Sequence, residues 1–127
     1  FDDRASEFPR VHPDLEGQET QFGYALGVGR DVNALDFNQI LKYHRGDDHV
    51  AVHQLAPAKM ASEPVFVPKN DAKAEDEGYL MSYVFDQDKN TSELIVLDAQ
   101  NVAAEPIACI ELPQRVPFGF HGSWVPG

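Results

Sequence analysis

The sequence predicts an all-β chain of short antiparallel strands. Three observations carry that prediction. Apolar and β-branched residues recur in short runs that alternate near period two, as on strands with one buried face. The breaks between runs hold turn residues: "HRGDDH" (44–49), "DQDKNTS" (86–92) and "DAQN" (98–101). No stretch sustains the period of an amphipathic helix.

The elements follow in order. "TQFGYALGVG" (20–29) mixes aromatic rings with glycine, and "ALDFNQILKYH" (34–44) places Leu35, Phe37, Leu41 and Tyr43 close to alternation. "HVAVHQL" (49–55) puts Val50 and Val52 on one face. "EPVFVP" (63–68) is β-branched and closed by proline. "GYLMSYVFD" (78–86), "SELIVLDA" (92–99) and "EPIACIELP" (105–113) are strand runs separated by hairpin-length turns. With 63–67 they make a four-stranded antiparallel unit, the make-up of one propeller blade. Residues 20–55 supply three strands of a preceding unit. The letters show no clear repeat, and a sandwich predicts the same strands. "NDAKAEDEG" (70–78) reads equally as a short helix, capped by Asp71 and ended by Gly78, or as a solvated loop.

The bulk properties exclude some functions. The 127 residues amount to about one domain, and 43% hydrophobic residues are enough for a core. The net charge of -11 argues against nucleic acid and against a polybasic membrane anchor, since both need clustered Lys and Arg. A single cysteine, Cys109, precludes an intrachain disulfide, and the compartment need not be oxidising. The expected setting is cytoplasmic, with peripheral membrane association of the longer protein as the alternative. Within "IACIEL", Cys109 reads as a buried, inert thiol. No apolar run is long enough for a transmembrane helix, and no signal peptide is visible. The chain opens at Phe1 rather than Met, as a piece of a longer protein would.

Five histidines are the first candidates for chemistry: His12, His44, His49, His53 and His121. His49 and His53 have the spacing of a helical zinc pair, but "VAV" between them is strand-like. Four strand residues span about 13 Å, too far for one ion to bind both rings. They read as solvent-facing, and His12 and His44 as surface residues. His121 stands apart within "VPFGFHGSWVPG" (116–127), between Gly119 and Gly122 and among Phe118, Phe120 and Trp124. Glycines allow close approach and the rings would exclude water. A packed, structural histidine and a metal ligand both fit that setting, and a ligand needs partners from elsewhere. Two carboxylates, Glu7 in "SEFPRV" and Glu63 in "SEPVFVP", precede apolar residues on strand-like segments. Aimed inward, each needs a partner, and the N–H of a metal-bound imidazole is a natural one. At strand ends they would simply face water. No nucleophile elbow, phosphate loop, CxxC pair or dinucleotide fingerprint is present.

Taken together, "SEFPRV", "FGYALG", "SEPVFVP", "AEDEGYLMSYVFD", "SELIVLDA" and "LPQRVPFGFHGSWVP" resemble the C-terminal part of the carotenoid cleavage oxygenase family, from Glu7 to Pro126. The resemblance implies that residues 1–127 are the C-terminal blades of a single seven-bladed β-propeller domain. It implies a non-haem Fe(II) held by four histidines, of which His121 matches the last. It further implies outer carboxylates hydrogen-bonded to the ligand imidazoles, matched here by Glu7 and Glu63. None of His12, His44, His49 or His53 matches a ligand motif. The implied reaction is oxidative cleavage by dioxygen of a conjugated C=C bond in a carotenoid, apocarotenoid or stilbene, giving two carbonyl products. The implied partners are an apolar conjugated substrate and the remaining blades. Phe118, Phe120 and Trp124 would touch substrate or pack, with core packing the expected role of Trp124. The alternative is a non-catalytic β-domain for binding or scaffolding, with a structural His121. These residues alone are expected to be inactive and poorly stable, because lone blades expose sheet edges.

Overall fold

A computed structural model of the chain describes residues 3–29, 36–47 and 49–127. Leu35 of the expected 34–44 strand and Asp48 of the following turn lie outside them. The described residues form β1 (Ser6–Arg10), a 3-10 turn (Pro13–Leu15), β2 (Phe22–Gly27), β3 (Gln39–His44) and β4 (Val50–Gln54). There follow β5 (Lys59–Ala61), β6 (Val65–Pro68), β7 (Gly78–Asp86), β8 (Thr91–Asp98) and β9 (Ala108–Glu111). No helix is long and apolar enough to cross a membrane.

Every pairing is antiparallel. One sheet runs β1-β2-β3-β4; the other runs β5-β7-β8-β9, with β6 also on β7. The second sheet is the expected four-stranded unit with one addition. β5 and β6 are two halves of one edge, pairing with opposite ends of β7. Period two governs β7: Leu80, Ser82, Val84 and Asp86 are buried, while Met81, Tyr83 and Phe85 face the other way and are more open. The buried face meets the first sheet in one core, which joins Tyr24, Leu26 and Ile40 to Phe66, Leu80, Ile95 and Leu97.

The acidic segment before β7 is a loop of turns, exposed in its first half, and not a helix; two of its carboxylates tie the sheets together. Glu75 accepts hydrogen bonds from the backbone N–H groups of Gln21 and Phe22, at 2.9 Å each to Oε1. Asp76 Oδ2 takes the Lys42 ammonium at 2.6 Å, and that ammonium also donates to the Ala99 carbonyl at 2.7 Å. Lys42 is buried and its charge lies 4.3 Å from the centre of the Phe22 ring. Gly78 ends the segment because nothing larger fits. A Cβ there would lie 2.5 Å from both the Phe66 ring and the Val67 carbonyl oxygen.

Three expectations fail. Cys109 is exposed, because β9 is the outer strand and nothing described pairs beyond it. His53 is buried on β4 opposite Ile40, itself fully buried, rather than facing solvent. Trp124 is half exposed and outside the core, on an extended segment after β9 that joins neither sheet. Edge position in the first case and cross-strand neighbours in the second override the local letters. His12 and His44 lie at the surface as expected, each partly covered by a ring: His12 packs on Phe66 and His44 stacks on Phe22.

Candidate metal centre

The site grows from two irregularities, one in each sheet. In the second sheet, Ala61 pairs with Val84 and Val65 with Met81, so Ser62, Glu63 and Pro64 oppose only Ser82 and Tyr83. That extra residue is a β-bulge. Pro64 suits it, having no N–H to give to a ladder. Ser62 anchors it: its N–H donates to the Tyr83 carbonyl, its hydroxyl accepts from the Tyr83 N–H, and its carbonyl accepts from the Ser82 hydroxyl. The bulge re-aims Glu63, whose side chain is only 3% exposed.

The segment after β9 crosses over this point. It is tied at Val116, whose N–H donates to Ser92 Oγ at 3.0 Å. Arg115 covers the Phe85 ring at 4.7 Å, and Phe118 meets that ring edge-on. At Glu63 the segment makes its polar contact. Gly122 N–H donates to Oε2 at 2.9 Å, and His121 Nδ1 lies 3.1 Å from Oε1. A carboxylate oxygen accepts, so Nδ1 is the donor, and in the neutral ring the lone pair is left on Nε2. No described residue hydrogen-bonds Nε2, and the His121 side chain is 72% exposed. The arrangement suits a borderline divalent cation, for which neutral imidazole with an oriented tautomer is a standard donor. Among the described residues no three His, Cys, Asp or Glu side chains converge on a common point, so a cation at His121 would need further donors from outside them.

The second irregularity lies in β1. Glu7 pairs with Leu26 and Arg10 with Tyr24, so Phe8 and Pro9 oppose one residue, and Phe8 sits in the left-handed region at φ 56°. This bulge sends Phe8 against the His121 ring, edge-on at 5.9 Å between centroids. Glu7 itself is exposed and makes no hydrogen bond to His121. The structure thus joins Glu63 to His121 and leaves Glu7 apart.

Beside His121 lies an open cavity of about 450 Å³. Met60, Val65, Met81, Tyr83, Phe85 and Leu94 form its floor, with Phe118, Phe120 and Trp124 along the crossing segment. The three rings do not seal it. Phe118 is 63% and Phe120 79% exposed, so the rings expected to exclude water line an open-sided groove instead. The glycines beside His121 are not demanded by crowding either. A Cβ at Gly119 would meet nothing within 4 Å, and one at Gly122 only Val65 at 3.5 Å.

Sequence reasoning missed three contributors: Phe8, Arg10 and the Ser62 anchor. Arg10 Nη1 lies 3.7 Å from Glu63 Oε2. Their one shared signal was proline one or two residues after a carboxylate, in "EFP" and "SEP", which marks both bulges.

Comparison with known proteins places this geometry. The family profile described as retinal pigment epithelial membrane protein matches residues 1–126. The chain belongs to this family. It is 40% identical over 98% of its length to a carotenoid cleavage oxygenase of Mycobacterium tuberculosis, of which it covers 25%. It is 35% identical over 95% of its length to the apocarotenoid-15,15'-oxygenase of Synechocystis sp., again covering 25%. The crystal structure of cobalt-substituted Synechocystis apocarotenoid oxygenase superposes with a TM-score of 0.90 at 34% identity, over 96% of this chain and 26% of that one. The chain therefore spans about a quarter of the length of the relatives it matches. Its two sheets are antiparallel blades of the family's seven-bladed β-propeller, as the sequence resemblance implied.

Proposed function

We propose that these residues are the C-terminal blades of a non-haem Fe(II) dioxygenase, with His121 as one of its four metal-binding imidazoles. The substrate class is a conjugated, apolar polyene, a carotenoid or apocarotenoid, with a stilbene as the nearest chemical relative. The products are two carbonyl fragments. Support comes from the family's oxygenase relatives and, in this chain, from one observation above all. A buried carboxylate, Glu63, grips the proton-bearing nitrogen of His121 and leaves the other nitrogen bare.

The residues divide the work. Glu63 fixes the imidazole plane and tautomer, and the Gly122 N–H fixes Glu63 in turn. The Phe8 ring edge supports the imidazole from the side. Bound iron supplies the dioxygen chemistry; the chain supplies position. The apolar groove beside His121 offers a conjugated chain a wall without hydrogen bonds, and the blades that complete the propeller would close its open side. Glu7 serves an imidazole from another blade.

The test uses the full-length protein that carries these residues. Purified protein should hold about one iron per chain and convert an apocarotenoid to two carbonyl products, each labelled from oxygen-18 dioxygen. His121→Ala should abolish both iron retention and cleavage. Stoichiometric iron retained by folded His121→Ala refutes the ligand role.

A further inference from the structure

β1 belongs to one sheet and Glu63 to the other, yet β1 reaches the Glu63–His121 pair twice. The bulge at Phe8 and Pro9 turns the strand so that Phe8 meets the imidazole and Arg10 meets the carboxylate. The Arg10 guanidinium stands 3.7 Å from Glu63 Oε2, an ion-pair distance without a hydrogen bond. The carboxylate side chain is 3% exposed and the guanidinium 24%.

Two effects of Arg10 on a cation at His121 Nε2 oppose one another. Its charge holds the carboxylate in place, since an anion so buried is poorly compensated by N–H dipoles alone. Its charge also repels the cation. The first acts over 3.7 Å on a group removed from water. The second acts from a guanidinium that is 24% exposed, on a cation held by a ring that is 72% exposed, so water screens it. The first dominates.

We infer that Arg10 is a positioning residue, which holds Glu63 against His121 so that the imidazole keeps Nε2 bare for the metal. The inference rests on the ligand role proposed for His121. Arg10 therefore links the two blades through the site: a strand of one sheet sets the geometry of a ligand carried beside the other.

The test is a double-mutant cycle on Co(II) affinity in the full-length protein, read by competition with a chelator. Arg10→Gln should raise the cobalt dissociation constant roughly 3- to 10-fold, less than the roughly 10- to 100-fold that removing a directly bonded outer carboxylate costs. In a Glu63→Gln background it should cost no affinity, because the group it holds is gone and only its repulsion of the cation remains. Arg10→Lys, which keeps the charge, should restore most of the affinity. Unchanged or tighter cobalt binding by folded Arg10→Gln overturns the inference, as does an equal loss in both backgrounds. Should Arg10→Gln fold poorly, Arg10→Met keeps the aliphatic stem and reads the same difference. Unchanged cobalt binding by His121→Ala overturns the ligand reading itself, and this inference with it.

Discussion

Replacing Glu63 by glutamine tests the centre of the site at constant shape. The carboxylate accepts from two donors, His121 Nδ1 at 3.1 Å and the Gly122 N–H at 2.9 Å, with Arg10 at 3.7 Å. Glutamine has one acceptor oxygen. Its NH2 must then face either the Gly122 N–H, a donor against a donor, or the imidazole. Facing the imidazole, it donates to Nδ1 and drives the ring proton to Nε2, the nitrogen a metal needs bare. Glu63→Gln thus loses a charge-assisted hydrogen bond, worth about 1.5–3 kcal/mol, and also the tautomer preference. Metal affinity should fall about 10- to 100-fold, or about 1.4–2.8 kcal/mol. The assay is Fe(II) or Co(II) competition with a chelator in the full-length protein, with circular dichroism to establish folding. Affinity within about twofold of wild type would refute the reasoning, since it would mean that the carboxylate neither orients nor polarises the imidazole.

Three further outcomes follow from the packing around the site. Asp76→Asn leaves the buried Lys42 ammonium without its counter-charge and should cost about 3 kcal/mol in denaturant unfolding; a loss below about 1 kcal/mol would mean that the pair is solvated and weak. Tyr24 is 2% exposed, stacks on Phe66, and finds no partner for its hydroxyl among the described residues. Burial first, then the charges of Asp76 and Glu75, push its pKa well above the ordinary 10.0. The folded state thus holds that proton while the unfolded chain releases it, so stability falls as pH rises past 10.0. Tyr24→Phe should gain about 1 kcal/mol at neutral pH and more at alkaline pH; equal alkaline losses in both proteins would refute this. The Asp86 carboxyl is held below its ordinary 3.8, chiefly by the Lys89 N–H, with the Lys89 and Lys59 charges adding to it. Its contribution is present above 3.8 and lost as pH falls through the lower folded value, so Asp86→Asn should be less stable at neutral pH and converge on wild type in acid. A gap independent of pH would exclude the charge as its source.

Much of the fold was legible because a half-buried strand writes period two into its letters. β7 matched its expected span residue for residue, and β8 matched within one residue at each end. β5 went unread because its letters, "KMA", are too few to carry a period. At the site, His121 was legible from its unusual neighbours and Glu63 from its place on an apolar strand. Arg10 and Phe8 were not, since each acts on a residue more than fifty positions away.

By itself the sequence determined the all-β class, the succession of strands and turns, and the family to which the blades belong. Those properties rest on local alternation, turn chemistry and an ordered set of short motifs. The tertiary structure alone decided what each polar side chain does. Glu7 and Glu63 stand in similar letters, yet one is exposed and the other lies buried beneath an imidazole. The acids of 75–76 clasp two sheets rather than meet water, and Cys109 lies open on an outer strand. The reason is physical: burial and hydrogen-bond partners belong to the surface packed against a residue. That surface comes from chain far away in sequence, brought near only when the sheets close on one another.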